Sequence, residues 1–132
     1  MHQIEHIGIA VKSLETSIPL FETLLNTNCY KQELVATEQV NTAFFKVGES
    51  KIELLQSTQP DGVIAKYIDK KGEGIHHIAF AVVDIVAEIE RLKSKGFVLL
   101  NDVPKQGADN KLVVFLHPKS TSSVLVELCQ SR

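Results

Sequence analysis

The chain has 132 residues, a net charge of −2, and 44% hydrophobic and 23% charged residues, ordinary values for a folded globular chain. It has no basic tract and only 6% aromatic residues, which argues against nucleic acid as its main partner. No apolar run approaches the roughly 20 residues needed to span a bilayer, and no secretory or Arg-rich leader precedes the first strand, so a single cytoplasmic domain is expected.

Ile4 to Val11 alternates and is rich in β-formers, which predicts a strand with two unlike faces. Ile7, Ile9 and Val11 make a bulky face suited to packing under a helix. Ile4, His6, Gly8 and Ala10 make the other, where small residues leave room beside the histidine. Ser13 is the expected N-cap of a helix over Leu14–Leu25, with Leu14, Ile18, Phe21 and Leu25 on one stripe. Pro19 within it predicts a kink or a late start. Strands follow at Cys29–Ala36, Val40–Val47 and Lys51–Gln56, the last two joined by a turn at Gly48-Glu49-Ser50. Residues 58–74 form a connector with a short helix over Val63–Lys71.

The plan then repeats. Ile75–Val82 is a strand with Ile78, Phe80 and Val82 on a bulky face and His77, Ala79 and Ala81 on a small one. Asp84 caps a helix over Ile85–Lys95, and Gly96 sits at its C-terminal cap. Phe97–Leu100 is the next expected strand. Residues 103–110 form a polar loop of the kind that covers a site. Lys111–Leu116 and Val124–Cys129 are the last two strands, joined by the turn 117–123.

Glu5-His6-Ile7-Gly8-Ile9-Ala10-Val11 is echoed by His76-His77-Ile78-Ala79-Phe80-Ala81-Val82, and Ile52-Glu53-Leu54-Leu55-Gln56 by Val126-Glu127-Leu128-Cys129-Gln130. Both echoes run at an offset of about 70 to 75 residues, the mark of one unit written twice. The expected fold is therefore α+β: two tandem βαβββ modules, about 1–57 and 75–132, forming a half-barrel. His6, Glu53, His77 and Glu127 fall at repeat-equivalent positions. If the modules pair about a pseudo-twofold axis, these residues converge on one divalent metal. Nitrogen and oxygen donors without a thiolate suit Zn, Co, Ni, Mn or Fe. A lone histidine or glutamate on a strand is more often structural, but a buried carboxylate is costly unless paired or metal-bound. His76 points to the opposite face from His77, and His2 and His117 lie outside the repeat. Cys29 and Cys129 are expected to be reduced thiols.

Beyond these patterns, His6-Ile7-Gly8-Ile9-Ala10-Val11, Lys51-Ile52-Glu53-Leu54-Leu55, Gly74-Ile75-His76-His77-Ile78-Ala79-Phe80 and Phe115-Leu116-His117-Pro118-Lys119 running on to Val124-Leu125-Val126-Glu127-Leu128 resemble the vicinal oxygen chelate (glyoxalase-like) superfamily. Within it the chain is most similar to the methylmalonyl-CoA epimerases. The resemblance implies epimerisation of a 2-methylmalonyl thioester by proton transfer at C2 through a metal-chelated enolate. It also implies a divalent metal, often cobalt in assays, held by His6, His77, Glu127 and Glu53, and a homodimer. One branch of the family has a further glutamate on the third strand as a proposed base; the matching position here reads Ala43. With that acid missing, Glu53 and Glu127 are the expected bases. Gln106, Gly107 and Ala108 are candidates for contacts near the thioester, and Lys119, Lys105, Lys66 and Lys70 for contacts to the CoA phosphates. The alternatives on the same scaffold are a lactoylglutathione lyase with the same metal set, a small-molecule-binding protein without catalysis, and a ring-cleaving dioxygenase. Against the last two stand the presence of all four ligands and the extra acid at Glu53.

Overall fold

The computed structural model describes residues 1–132 and divides into two compact units, His6–His76 and Met1–Glu5 with His77–Arg132. In chain order the elements are β1 (Gln3–Ala10), α1 (Leu14–Leu25), β2 (Lys31–Val35), β3 (Val40–Val47), β4 (Ser50–Ser57), α2 (Val63–Lys71), β5 (Gly74–Ala81), α3 (Ile85–Ser94), β6 (Lys105–Gln106), β7 (Lys111–Leu116) and β8 (Val126–Ser131). Each unit holds a β-α-β-β-β run, as the repeat implies, with α2 following β4 in the first.

In the His6–His76 unit the strands lie in the order β2-β3-β4-β1, with β1 parallel to β4 and the other pairs antiparallel. Strand alternation sends Ile9, Val11, Ala43, Phe45, Ile52 and Leu54 to one face. There they pack with Leu14, Ile18, Phe21 and Leu25 of α1. Ser13 caps α1 by accepting from the Thr16 amide, and the helix continues through Pro19 without the late start expected from that residue. Gly48 at φ 60° and Glu49 make a two-residue turn between β3 and β4, a conformation that costs glycine little.

In the other unit the order is β5-β8-β7-β6, with β5 parallel to β8. Phe80, Val82, Val114, Leu116, Val126 and Leu128 face α3 and pack with Ile85, Ile89 and Leu92. Asp84 caps α3 through the Ala87 amide, and Gly96 at φ 90° closes it, with the Phe97 amide donating back to the Leu92 carbonyl. His2 N donates to Ala81 O within this unit.

The strand expected at Phe97–Leu100 does not form as a regular element. Leu99 makes one isolated bridge to Leu116, and the paired strand comes later, at Lys105–Gln106 against Val113 and Leu112. Residues 101–104 bulge out between the two contacts. Pro104 lies in that bulge and has no amide to donate to a ladder. β8 also begins at Val126, two residues later than the alternation suggests.

The two glutamines of the repeat have a shared structural task. Gln56 Oε1 accepts from the Leu14 amide and Gln130 Oε1 from the Ile85 amide, both at 2.7 Å. Each covers the first orphan N–H of the helix in its own unit. The backbone amides of Val11 and Val82 bond alike, to Leu55 O and Cys129 O.

Candidate metal and proton-transfer site

The face of each unit opposite its helix carries the candidate site residues. In the His6–His76 unit, β1 contributes His6, Gly8 and Ala10, β4 contributes Glu53 and Leu55, and β3 contributes Thr42 and Phe44. The registers Gly8↔Glu53 and Phe44↔Glu53 align these side chains on one face. His6 Nδ1 lies 3.1 Å from Glu53 Oε2. In the other unit β5 contributes His77, Ala79 and Ala81, β8 contributes Glu127 and Cys129, and β7 contributes Val113 and Phe115, with Ala79↔Glu127 and Phe115↔Glu127 in register. His77 Nε2 lies 3.2 Å from Glu127 Oε1.

All four side chains are buried, between 4% and 6% exposed. A carboxylate removed from water requires a charged or strongly hydrogen-bonding partner, and in each unit the nearest strand supplies an imidazole. Donors of His77 and Glu127 are close enough to bind one ion together. The Phe115 ring meets the His77 ring edge-on at 5.7 Å, which fixes the imidazole plane. Small residues next to each histidine keep the space beside it open: Gly8 and Ala10 in one unit, Ala79 and Ala81 in the other. The donor set fits a divalent ion of the borderline class, since it offers imidazole and carboxylate and no thiolate.

The competing histidines fall elsewhere. His76 packs edge-on against Tyr67 of α2, 4.9 Å between ring centres. His117 Nδ1 accepts from the Lys119 amide in the turn after β7. Cys29 and Cys129 are free thiols.

The position expected to match a third-strand base needs correction. Ala43 is fully buried among Val11, Leu14, Phe45 and Leu54, on the α1 face. A side chain there points away from Glu53. The third-strand residues that share the Glu53 face are Thr42 and Phe44.

Gln106 and Gly107 belong to β6 and the turn after it. Gln106 is already engaged: its Nε2 donates to Gly107 O and its Oε1 accepts from Arg132. Gly107 is buried against Val113, on the face that carries Glu127, and a Cβ built on it would meet Val113 Cγ1 at 2.9 Å. Ala108 begins the 3₁₀ turn that follows. Lys119 lies apart from this face. With Lys95, Gly96, Phe97, Val98 and Ser120 it lines an open cavity of about 420 Å³ beside the C-terminal end of α3. Two buried polar residues on the strands escaped sequence reasoning. Glu5 is 6% exposed, with a carboxylate oxygen within 4.8 Å of Cys129 Sγ. Thr42 is 1% exposed. Each is a polar residue at a strand position that burial alone distinguishes, and no local pattern marks it.

The model of the Glyoxalase/Bleomycin resistance protein/Dioxygenase superfamily matches residues 5–115. A mitochondrial methylmalonyl-CoA epimerase of Homo sapiens is 35% identical over 98% of this chain and 74% of its own length. Among solved structures, a hypothetical protein of Bacillus halodurans C-125 superimposes with a TM-score of 0.96 at 42% identity, covering 98% of this chain and 94% of that one. A Streptomyces coelicolor methylmalonyl-CoA epimerase variant in complex with 2-nitronate-propionyl-CoA superimposes with a TM-score of 0.93 at 33% identity, again over 98% and 94% of the two chains.

Proposed function

The chain belongs to the Glyoxalase/Bleomycin resistance protein/Dioxygenase superfamily and to its methylmalonyl-CoA epimerases, a class of isomerase, and from that premise we propose that it interconverts the two C2 epimers of methylmalonyl-CoA at a divalent metal held by His6, Glu53, His77 and Glu127. The observation that carries this reading is the matched pair of buried imidazole–carboxylate contacts, 3.1 Å and 3.2 Å, at equivalent places in the two modules. No helix is long and apolar enough to cross a membrane. The thioester substrate is the expected small-molecule partner, and a homodimer the expected assembly.

The proton on C2 lies between a carboxylate and a thioester carbonyl, so removing it leaves a charge that spreads onto the thioester oxygen. A bound divalent ion supplies Lewis-acid stabilisation of that charge. The chain's own residues move the proton. Glu53 takes it from one face of C2, and the C–H electron pair passes into the carbonyl. Glu127, protonated and turned out of the ligand set, returns a proton to the opposite face, so the two carboxyl groups exchange protonation states in each turnover and only the ionised one serves as a ligand. Each carboxylate has two oxygens, so one can stay toward its histidine while the other reaches the substrate. The small residues beside each histidine leave room for the substrate's branched acyl group, and Phe44 and Phe115 flank the two carboxylates.

Metal analysis of the purified protein, together with turnover of racemic methylmalonyl-CoA, tests the reading. Stoichiometric divalent metal and epimerisation are expected. No bound metal and no turnover would sink it.

A further inference from the structure

Thr42 carries an unexplained hydroxyl. Its Oγ1 is sealed from solvent and has no hydrogen-bond partner. Burying a hydroxyl unpaired is costly, and the large majority of buried side-chain polar atoms avoid it. Packing does not demand the hydroxyl, because the chain holds the control within itself. Thr42 opposes Leu55, two residues beyond Glu53. In the other module the residue opposite Cys129, two residues beyond Glu127, is Val113. Valine has nearly the shape of threonine, and Val113 fills its place at 5% exposed.

Thr42 is also a diagonal neighbour of Glu53 across the β3–β4 ladder, on the same face. Such neighbours lie about 7–8 Å apart at the backbone, within reach of a glutamate side chain. We propose that Thr42 is a positioning residue for Glu53: its hydroxyl donates to the Glu53 carboxylate in the rotamer that turns from His6 toward the substrate. Glu127 has a valine at the matching place and lacks this support, so the two proton-transfer steps are held differently. The inference rests on Glu53 acting as a base.

The test uses the full chain as Thr42→Val and Thr42→Ser, with deuterium uptake from solvent at C2 followed separately from each epimer. Thr42→Val is expected to slow uptake from one epimer about tenfold or more, the worth of one hydrogen bond to a charged group, and to leave uptake from the other near the wild-type rate. kcat should fall with KM unchanged. Thr42→Ser should restore the slowed exchange. The thermal midpoint of Thr42→Val, measured without metal or substrate, should equal or exceed that of the wild type, because an unpaired hydroxyl has been replaced by a methyl. Equal rates in Thr42→Val and wild type would overturn the inference and leave the epimerase reading intact. So would equal slowing from both epimers, or a failed rescue by serine. Absence of turnover by the wild type removes Glu53 as a base and the inference with it.

Discussion

Phe115 and Glu127 stand directly opposite each other in the β7–β8 ladder, and the Phe115 ring also meets His77 edge-on. One aromatic side chain thus bears on both members of a histidine–glutamate pair. Phe44 stands opposite Glu53 in the β3–β4 ladder in the same way. Replacing Phe115 with Leu keeps most of the volume and removes the ring edge. Stability should fall by about 1 kcal/mol. Metal affinity should fall more, about tenfold, because the imidazole loses its orienting neighbour. Isothermal titration with Co²⁺ or Zn²⁺ and a denaturant melt on the same samples separate the two effects. Unchanged affinity would show that Phe115 only fills space.

The four proposed ligands make a prediction that needs no substrate. A divalent ion that binds only the folded chain should stabilise it by about 2.7 kcal/mol at a hundredfold excess over Kd. Glu53→Ala and Glu127→Gln should each lose most of that gain, because each removes a carboxylate from the proposed ligand set. His77→Ala should lose it too and should also unfold more readily without metal, since Glu127 is left buried without its imidazole. Thermal melts with and without metal read both effects. A metal-induced rise that survives all three substitutions would place the ion elsewhere.

The repeated glutamines predict a purely structural effect. Gln56→Ala and Gln130→Ala each uncover one helix N–H. Each should cost about 1 kcal/mol in denaturant melts. The two lie in separate modules, so the double variant should cost close to the sum. Activity per folded molecule should stay near wild type, because neither side chain faces the site.

Much of this arrangement is legible from alternation alone. Period 2 on β1 and β5 separates His6 and His77 from the helix-facing residues, and the repeat selects His77 over His76. Glu53 and Glu127 follow because each last strand ends in the same pattern. The helices are legible to within a residue, since Ser13, Asp84 and Gly96 mark their ends. The misplaced third-strand position shows the limit. Matching at Ala43 differs by a single residue from matching at Thr42, and in a strand one residue reverses the face. A 3₁₀ turn at Ala36–Glu38, followed by Gln39 at φ 54°, sets the register between β2 and β3. No local signal announces its length. The missing strand at Phe97–Leu100 has a similar origin. Its apolar residues read as a strand, but the bulge at 101–104 decides which of them pair. Burial of Glu5 and Thr42 depends on neighbours distant in sequence, and residue type alone points the other way.

Gly107 ties the β6 turn to the site face, and a glycine is required there for space. Its φ is −111°, open to any residue, so backbone strain is not the issue. A methyl group at Gly107 would meet Val113 Cγ1 at 2.9 Å and Cγ2 at 3.1 Å. Val113 cannot swing clear easily, because it is β-branched and buried among Ala79 and Cys129. Gly107→Ala should therefore destabilise the chain by about 1–3 kcal/mol, the range for overpacking. It should also raise KM for the thioester if the turn touches substrate, since relief of the contact lifts Gln106 and Ala108 off the face. Adding Val113→Ala removes both clashing methyls. The double variant should then be more stable than the sum of the single losses implies, with a coupling of about 1 kcal/mol or more. Additive losses in the melts would show that the turn yields freely and that the contact does not hold it. A KM that returns to wild type along with the stability would link the turn's seat on Val113 to substrate binding.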